Sequence, residues 1–331
     1  MDLINKRLTS AEITNLWTHY IQETMAICVS KYALKCIEDT DISSVFEFAL
    51  TLSNSHIQKL KGFFVQEEFP IPNGFTDEDV NLEAPPLYTE TFWLEYIHGM
   101  TMHGSSLYSL AFNSSVRKDI RDFYYQCVND SMNLYNKSID VLISKELYEK
   151  SPYYSTPQQV DYITKLTYVT DVFGKRRPLN SMESANIYFN LKKSIITKAI
   201  ILGFSQVCEL IEIRKFMEKG LQVANKHIGL FSTVLLEDDL HSPKLMDSEV
   251  TNSSIAPFSD KLMLYHAGNL FSVAISYYSH AAVMSMRADL LVHCETAISR
   301  DLKVFAKYGQ LMIKNQWLEQ PPKADDRKVN Y

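Results

Sequence analysis

Two histidines and two acids are the side chains of this sequence whose types and spacing could support metal or proton chemistry: Glu23, His56, Asp130 and His227. A dinuclear iron site in a helical bundle uses six ligands, because carboxylates bridge two hard cations while imidazoles fill the terminal positions. One such ligand is a glutamate three residues before the histidine, but Ser53 and Ala224 occupy that position here. We therefore expect no dinuclear oxidase centre and no cofactor, with one divalent metal ion at Glu23, His56 and Asp130 as the alternative.

His56 has a second possible role that needs no metal. A buried neutral imidazole that hydrogen-bonds across a bundle to Glu23 would satisfy both side chains, whereas burying Glu23 unpaired would cost several kcal/mol. His227 has no evident acidic partner, because Ser194 and Arg300 stand where the acids of the first half would align. We expect His227 to be a buried neutral imidazole. We group it with Glu23, His56 and Asp130 as a candidate for a buried polar or binding cluster.

An internal repeat supplies the elements that must position these side chains. Two stretches that begin at Leu8 and Leu179 align without a gap at an offset of 171 residues, which becomes 170 after one deletion. The alignment pairs His56 with His227. Each copy is large enough to bury its own core, so the repeat predicts two homologous modules.

The spacing of apolar residues predicts four helices in each module. The first helix of each copy begins with a capping box, formed by Thr9 with Glu12 and by Asn180 with Glu183. A serine precedes the fourth helix of each copy and is predicted to be its N-cap: Ser115 and Ser285.

The lengths of the connections predict the topology. Short connections join the first helix to the second and the third to the fourth, whereas long segments at 70–88 and 241–258 separate the second helix from the third. One long crossover at that position is typical of ferritin-like bundles. The predicted fold class is all-α, with two tandem ferritin-like four-helix bundles. The predicted divisions are a first bundle at 1–150, a Pro-containing linker at 151–178, a second bundle at 179–320 and a tail at 321–331.

Composition restricts the compartment and the partners. The net charge is −6 and the only basic run is Lys175–Arg177, so we expect no nucleic-acid partner. Five cysteines without a CxxC pair indicate small core residues in a reducing compartment. The N-terminus lacks the apolar segment of a signal peptide, and we therefore expect a cytoplasmic location.

The third helix of each copy carries no charge over twenty residues, at Ile97–Val116 and Ala267–Met286. Both stretches contain too many Ser, Gly and His residues for a membrane span. A helix that faces only its own core needs a charged outer side for solubility. We therefore expect the two third helices to pack on each other, so that the bundles associate around a pseudo-two-fold axis.

Several segments of the sequence resemble a known family: TDEDVN, SVRKDIRDFYYQC, KSPYY, PFSDKLML and MIKNQWLEQPPKADDR. Over almost its whole length the chain is similar to the family called domain of unknown function 3231, which occurs mainly in spore-forming Bacillus-like bacteria. That family resembles the ferritin-like superfamily and, distantly, the spore coat protein F group. The resemblance implies the fold and an association with the spore, and it implies no particular reaction.

Two functional interpretations stay open on the sequence alone. The first is a non-catalytic scaffold or binding protein that lost its metal centre, with a second copy of the chain or a spore protein as its partner. The second is an iron- or manganese-binding ferritin-like protein, or an oxidoreductase, with a reduced site in the first bundle. The second interpretation requires Glu23, His56 and Asp130 to converge on one point.

Overall fold

The computed structural model of the chain describes residues 7–170 and 176–324. Within these ranges the chain is all-α and consists of two tandem repeats of four long helices. The predictions for residues 1–6, for 171–175 of the linker and for 325–331 of the tail lie outside the described residues. The domain divisions at 150, 178 and 320 stay predictions.

The long helices pair in the same way in both repeats. In the first, α1 packs on α2 and α3, while α4 packs on α3 and α2. Crossovers with a short 3-10 turn join the second helix to the third, as the connection lengths predict. The helices are α1 Ser10–Cys36, α2 Thr40–Gln66, α3 Glu90–Ser114, α4 Lys118–Ser144, the short α5 Thr167–Thr170, α6 Ser181–Val207, α7 Ile211–Leu236, α8 Asp260–Met284 and α9 Ala288–Lys314.

Both predicted capping boxes are present. The Thr9 side chain accepts a hydrogen bond from the Glu12 N–H at the start of α1, and the Glu12 carboxylate accepts one from the Thr9 N–H. Asn180 and Glu183 make the same pair of bonds at the start of α6. These bonds satisfy N–H groups that a helix start leaves without a partner.

The prediction that Ser115 and Ser285 are N-caps is wrong. Both serines are the C-caps of the preceding helices, α3 and α8, and their hydroxyls donate to backbone carbonyls of those helices. The N-caps of α4 and α9 are Arg117 and Arg287, neither of which caps with its side chain.

A buried carboxylate from the first helix of each repeat replaces the missing cap. Glu12 Oε1 accepts hydrogen bonds from the N–H groups of Val116 (2.9 Å) and Arg117 (2.8 Å). Glu183 makes the equivalent bonds at the start of α9. An anion at a helix N-terminus is favourable, because the helix dipole and the free N–H groups both point at it. Each of these glutamates therefore joins the starts of two helices.

The two crossovers pair with each other across a pseudo-two-fold axis. Val80 bridges to Phe258 and Tyr88 bridges to Val250, and these two antiparallel bridges are exchanged by the repeat offset of 170. Farther along, Tyr96 of α3 contacts His266 of α8 through a hydrogen bond of 3.3 Å. These two positions are themselves equivalent in the repeat, and such a contact requires the axis to pass between them.

The third helices contact each other, as predicted, but they do not cover each other over their whole length and account for only part of the interface. Besides the contact at the axis, His103 Nδ1 on α3 and Tyr277 Oη on α8 are 2.7 Å apart. The first helix of the second repeat also takes part, because Tyr88 Oη donates to the Ile200 carbonyl at 2.7 Å. One continuous hydrophobic core contains residues of both repeats.

The first half of α3 is enclosed by protein, and the one acid within its buried segment, Glu95, pairs with Lys192 of α6. Residues 92–99 of α3 are all buried, on every side of the helix. The C-terminal ends are more open, with Leu110 64% and Val283 78% exposed. Among the described residues, no helix combines the length and apolar character that crossing a membrane requires.

We expect Gly203→Ala to destabilise the chain by ~1–3 kcal/mol, because a Cβ at this position of α6 would lie 2.5–2.7 Å from the Tyr88 ring and hydroxyl of the other repeat. Gly229→Ala on α7 is the matched control, since nothing lies within 4 Å of its added Cβ. Helix propensity alone should stabilise that variant by ~0.5–1 kcal/mol. Denaturant unfolding measures both, and equal effects of the two substitutions would argue against this close approach.

Candidate functional site

The first bundle contains a buried polar centre built around Glu23, which we call the Glu23 centre: His19, Glu23, His56, Tyr108, Cys127 and Asp130. Glu23 projects from α1 and is 4% exposed. Its Oε1 accepts from His56 Nδ1 on α2 at 2.7 Å, from His19 Nε2 at 2.9 Å and from the Tyr108 hydroxyl on α3 at 2.8 Å. A single carboxylate oxygen thus ties together three of the four helices.

Asp130 extends the Glu23 centre toward the surface from the fourth helix. Its Oδ2 lies 3.4 Å from His56 Nε2, and its Oδ1 accepts a hydrogen bond from Gln126 Nε2 at 2.9 Å. His56 therefore lies between two carboxylates, one deep in the bundle and one near its edge. The structure brings together the three first-bundle candidates of the sequence analysis, Glu23, His56 and Asp130.

The hydrogen bonds decide which groups of the centre are charged. Burial disfavours the carboxylate of Glu23, yet the bonds from His19 and His56 outweigh this effect and hold the pKa of Glu23 well below its usual range. Burial also disfavours imidazolium at His56, but Glu23 and Asp130 together raise the pKa of His56. For His19 burial dominates and lowers the pKa. The centre is thus a Glu23–His56 ion pair beside a neutral His19.

Three members of the centre were missed by the sequence analysis: His19, Tyr108 and Cys127. One ring nitrogen each of His19 and His56 and the Cys127 Sγ lie within 4.8 Å of one another, all three residues being buried. His19 Nδ1 is buried and has no hydrogen-bond partner among the residues that the structure describes. The signals were helical spacings, because His19 precedes Glu23 by four residues on α1 and Cys127 precedes Asp130 by three on α4.

The second bundle places His227 in a different environment. The Tyr278 hydroxyl lies 3.1 Å from His227 Nδ1 and 3.0 Å from Ser194 Oγ. The expectation that His227 has no acidic neighbour is wrong, because Asp301 Oδ1 lies 3.6 Å from His227 Nε2. The acid is the residue after Arg300, so the alignment of the repeats does not show it. His227 is in the other bundle from the Glu23 centre and does not join it.

Burial dominates the ionisation of this second cluster. Within the described part of the chain neither carboxyl oxygen of Asp301 has a hydrogen-bond partner, and burial raises the pKa of Asp301 to about 7. Burial, with the nearby cations Lys193 and Arg300, lowers the pKa of His227 to about 3. Lys193 is also desolvated, and its pKa falls to about 8. The polar clusters of the two bundles therefore differ in charge. The first contains a Glu23–His56 ion pair, whereas burial in the second favours the neutral forms of Asp301, His227 and Lys193.

A groove of about 440 Å³ lies on the second bundle between α7 and α9. Its floor is apolar, formed by Phe216, Val223, Val304 and Leu311. None of the six cations around it forms an ion pair among the residues that the structure describes. These cations are Lys215, Lys219, Lys226, Arg300, Lys303 and Lys307. This cluster could not be predicted from a basic run in the sequence. Its members come from two helices and are spaced three, four and seven residues apart.

Comparison with known proteins places the chain by family. Residues 2–160 and 167–329 each match the model of the family described as protein of unknown function (DUF3231). A crystal structure from Bacillus halodurans C-125, described as that of a "putative spore coat protein", shares 15% sequence identity with a TM-score of 0.43. That similarity covers 46% of this chain and 99% of the other. No curated protein sequence matches the chain.

We expect Asp301→Asn to stabilise the chain, more at pH 8 than at pH 5. The raised folded-state pKa means that stability falls as the pH rises from the usual pKa of an aspartate toward about 7, because only the unfolded Asp301 ionises there. The amide removes this loss and should gain ~1–3 kcal/mol at pH 8. Urea unfolding at the two pH values measures it.

Asp130→Asn is the control in the first bundle. This substitution removes an anion beside His56 and should destabilise by ~1 kcal/mol, most strongly at low pH, where His56 holds its proton. Destabilisation by Asp301→Asn at pH 8 would contradict our account of the second cluster.

Proposed function

The chain belongs to the DUF3231 family, and from this premise we propose that it is a non-catalytic scaffold protein of two ferritin-like bundles. Helix connectivity supports the ferritin-like assignment, because the long crossover joins the second helix to the third in both repeats. Family resemblance supports an association with the spore, and the unpaired cysteines support a cytoplasmic location. Fractionation of sporulating cells tests that location, and recovery outside the spore fractions would exclude it.

The observation that carries the scaffold proposal is the state of Glu23. A bridging ligand of a dinuclear centre needs both carboxylate oxygens free for metal, whereas Glu23 Oε1 already accepts three hydrogen bonds. In the second bundle Ser194 takes the place of Glu23 and Arg300 that of Asp130. Neither bundle therefore presents the carboxylates that would hold two irons for reaction with oxygen.

The alternative is a hard-metal protein that uses Glu23, His56 and Asp130 for iron or manganese. It shares its residues with the Glu23 centre, so one experiment separates the two functions. We expect the protein, mixed with ferrous iron in aerated buffer, to consume oxygen no faster than iron alone. A burst of oxygen uptake that scales with protein and disappears in Glu23→Gln would show that the scaffold proposal is wrong.

The lysine-rimmed groove of the second bundle supports a binding role within the scaffold proposal. Three of its cations, Lys215, Lys219 and Lys226, project from α7, and the other three project from α9. Like charges four residues apart on a helix destabilise it, so an anionic partner that neutralises them gains this energy on binding. We propose an acidic segment of a partner protein as the occupant. The apolar floor favours a peptide, which can place apolar side chains on it, over a nucleic-acid backbone, which presents charged phosphates and polar sugars.

We expect a poly-glutamate peptide to bind the chain at low salt and to dissociate as ionic strength rises. The double variant Lys219→Glu/Lys303→Glu should weaken binding at least ~10-fold, with one reversed charge on each wall of the groove. Lys137→Glu on α4 is the control, since Lys137 occupies the position in the first bundle that aligns with Lys307. Equal loss in the control, or tighter binding of a DNA oligonucleotide than of the peptide, would exclude the acidic peptide site.

A further inference from the structure

The Glu23 centre contains three ligands that suit a soft or borderline metal ion. These are two imidazoles and a thiol, from His19, His56 and Cys127, which are 4%, 6% and 0% exposed. One ligand atom from each lies within 4.8 Å of the other two. The three residues come from α1, α2 and α4, so the fold assembles them in the middle of the bundle.

Glu23 holds both imidazoles in one orientation. His19 Nε2 and His56 Nδ1 each donate a hydrogen bond to Glu23. The second nitrogen of the neutral His19 ring therefore carries a lone pair, and that of His56 carries one once it has released its proton, as metal binding requires. His19 Nδ1 then has no hydrogen-bond donor, and His56 Nε2 faces the Asp130 carboxylate at 3.4 Å. A carboxylate that orients metal-binding histidines through their other nitrogens is a common outer-shell arrangement. A bound cation would satisfy His19 Nδ1 and would take the place of the proton on His56 Nε2.

We propose that the first bundle binds one zinc ion through His19, His56 and Cys127. Asp130, one helical turn beyond Cys127 on α4, is placed to supply a fourth ligand oxygen. Nitrogen and sulfur donors favour zinc over iron(II) or manganese, which prefer oxygen ligands. Four protein ligands close the coordination sphere, so the ion stabilises the bundle and has no position for a substrate.

The second bundle provides an internal comparison. His227 keeps the position of His56, but asparagine, alanine and arginine replace the other three ligands, at Asn190, Ala297 and Arg300. Ser194 replaces the orienting Glu23. Only one of the four ligands therefore survives there, and the expected stoichiometry is one zinc ion per chain, not two.

Metal-free full-length protein, loaded with zinc and then dialysed, tests the proposal. We expect one zinc per chain and a higher melting temperature in the zinc-loaded protein. Cobalt(II) in place of zinc should give a thiolate charge-transfer band and the strong visible absorption of a tetrahedral site. Cys127→Ser should lose the charge-transfer band, whereas Cys294→Ser, a buried cysteine outside the centre, should retain it.

Two further variants keep the test decisive if Cys127→Ser does not fold. His19→Gln should weaken zinc binding at least ~100-fold, and Glu23→Gln, which removes an orienting carboxylate, should weaken it ~10–100-fold. Circular dichroism of each variant checks folding. Substoichiometric zinc in the native chain, or stoichiometric zinc that His19→Gln leaves unchanged, overturns the proposal. Neither result bears on the scaffold proposal, which fails only if the protein consumes oxygen with iron.

Discussion

The antiparallel pairing of the two crossovers is the constraint on which the arrangement of both bundles depends. Each crossover leaves its own bundle after the second helix and hydrogen-bonds to its counterpart, and each third helix begins where this pairing ends. The N–H of Thr89, the N-cap of α3, donates to the Glu249 carbonyl, and that of Ser259, the N-cap of α8, donates to the Asp79 carbonyl, both at 3.0 Å. The start of each third helix is thereby fixed against the other repeat, and Tyr96 and His266 meet two turns later at the axis.

The backbone pairing of the two crossovers keeps the symmetry of the repeat, whereas the side-chain contacts of the interface and the polar centres do not. Each buried backbone N–H or C=O in that pairing needs its partner whatever side chains surround it. The interior of a bundle has no such requirement. Glu23 in α1 and Asp301 in α9 accordingly belong to clusters with opposite electrostatics, even though His56 and His227 occupy equivalent positions. In the first cluster the hydrogen bonds outweigh desolvation, and in the second desolvation dominates.

The helices, the capping boxes and the crossovers could be predicted from sequence because they depend on local patterns. The position of Asp301 could not, since neighbouring residues on a helix point about 100° apart and the repeat alignment matches Arg300, not Asp301, with the first-bundle acid. The hydrogen bonds from the start of α4 to Glu12 could not be predicted either, because the donors Val116 and Arg117 lie more than one hundred residues away in the sequence. The serine caps failed for the same reason, as this distant carboxylate already satisfied the helix start.

The hydrogen-bond network of the Glu23 centre is only partly satisfied: Glu23 Oε1 has three donors, whereas His19 Nδ1 has no partner among the described residues. Three donors around one carboxylate oxygen stabilise the buried charge, and such a network rigidifies a core when all its members are paired. Apolar residues of similar volume would often be as stable or more stable, so stability alone does not account for a buried ion pair. Among the described residues, His19 Nδ1 is the imidazole nitrogen of this network that no protein group pairs with. Because a buried acceptor without a donor costs free energy, a cation bound at this nitrogen would remove that cost.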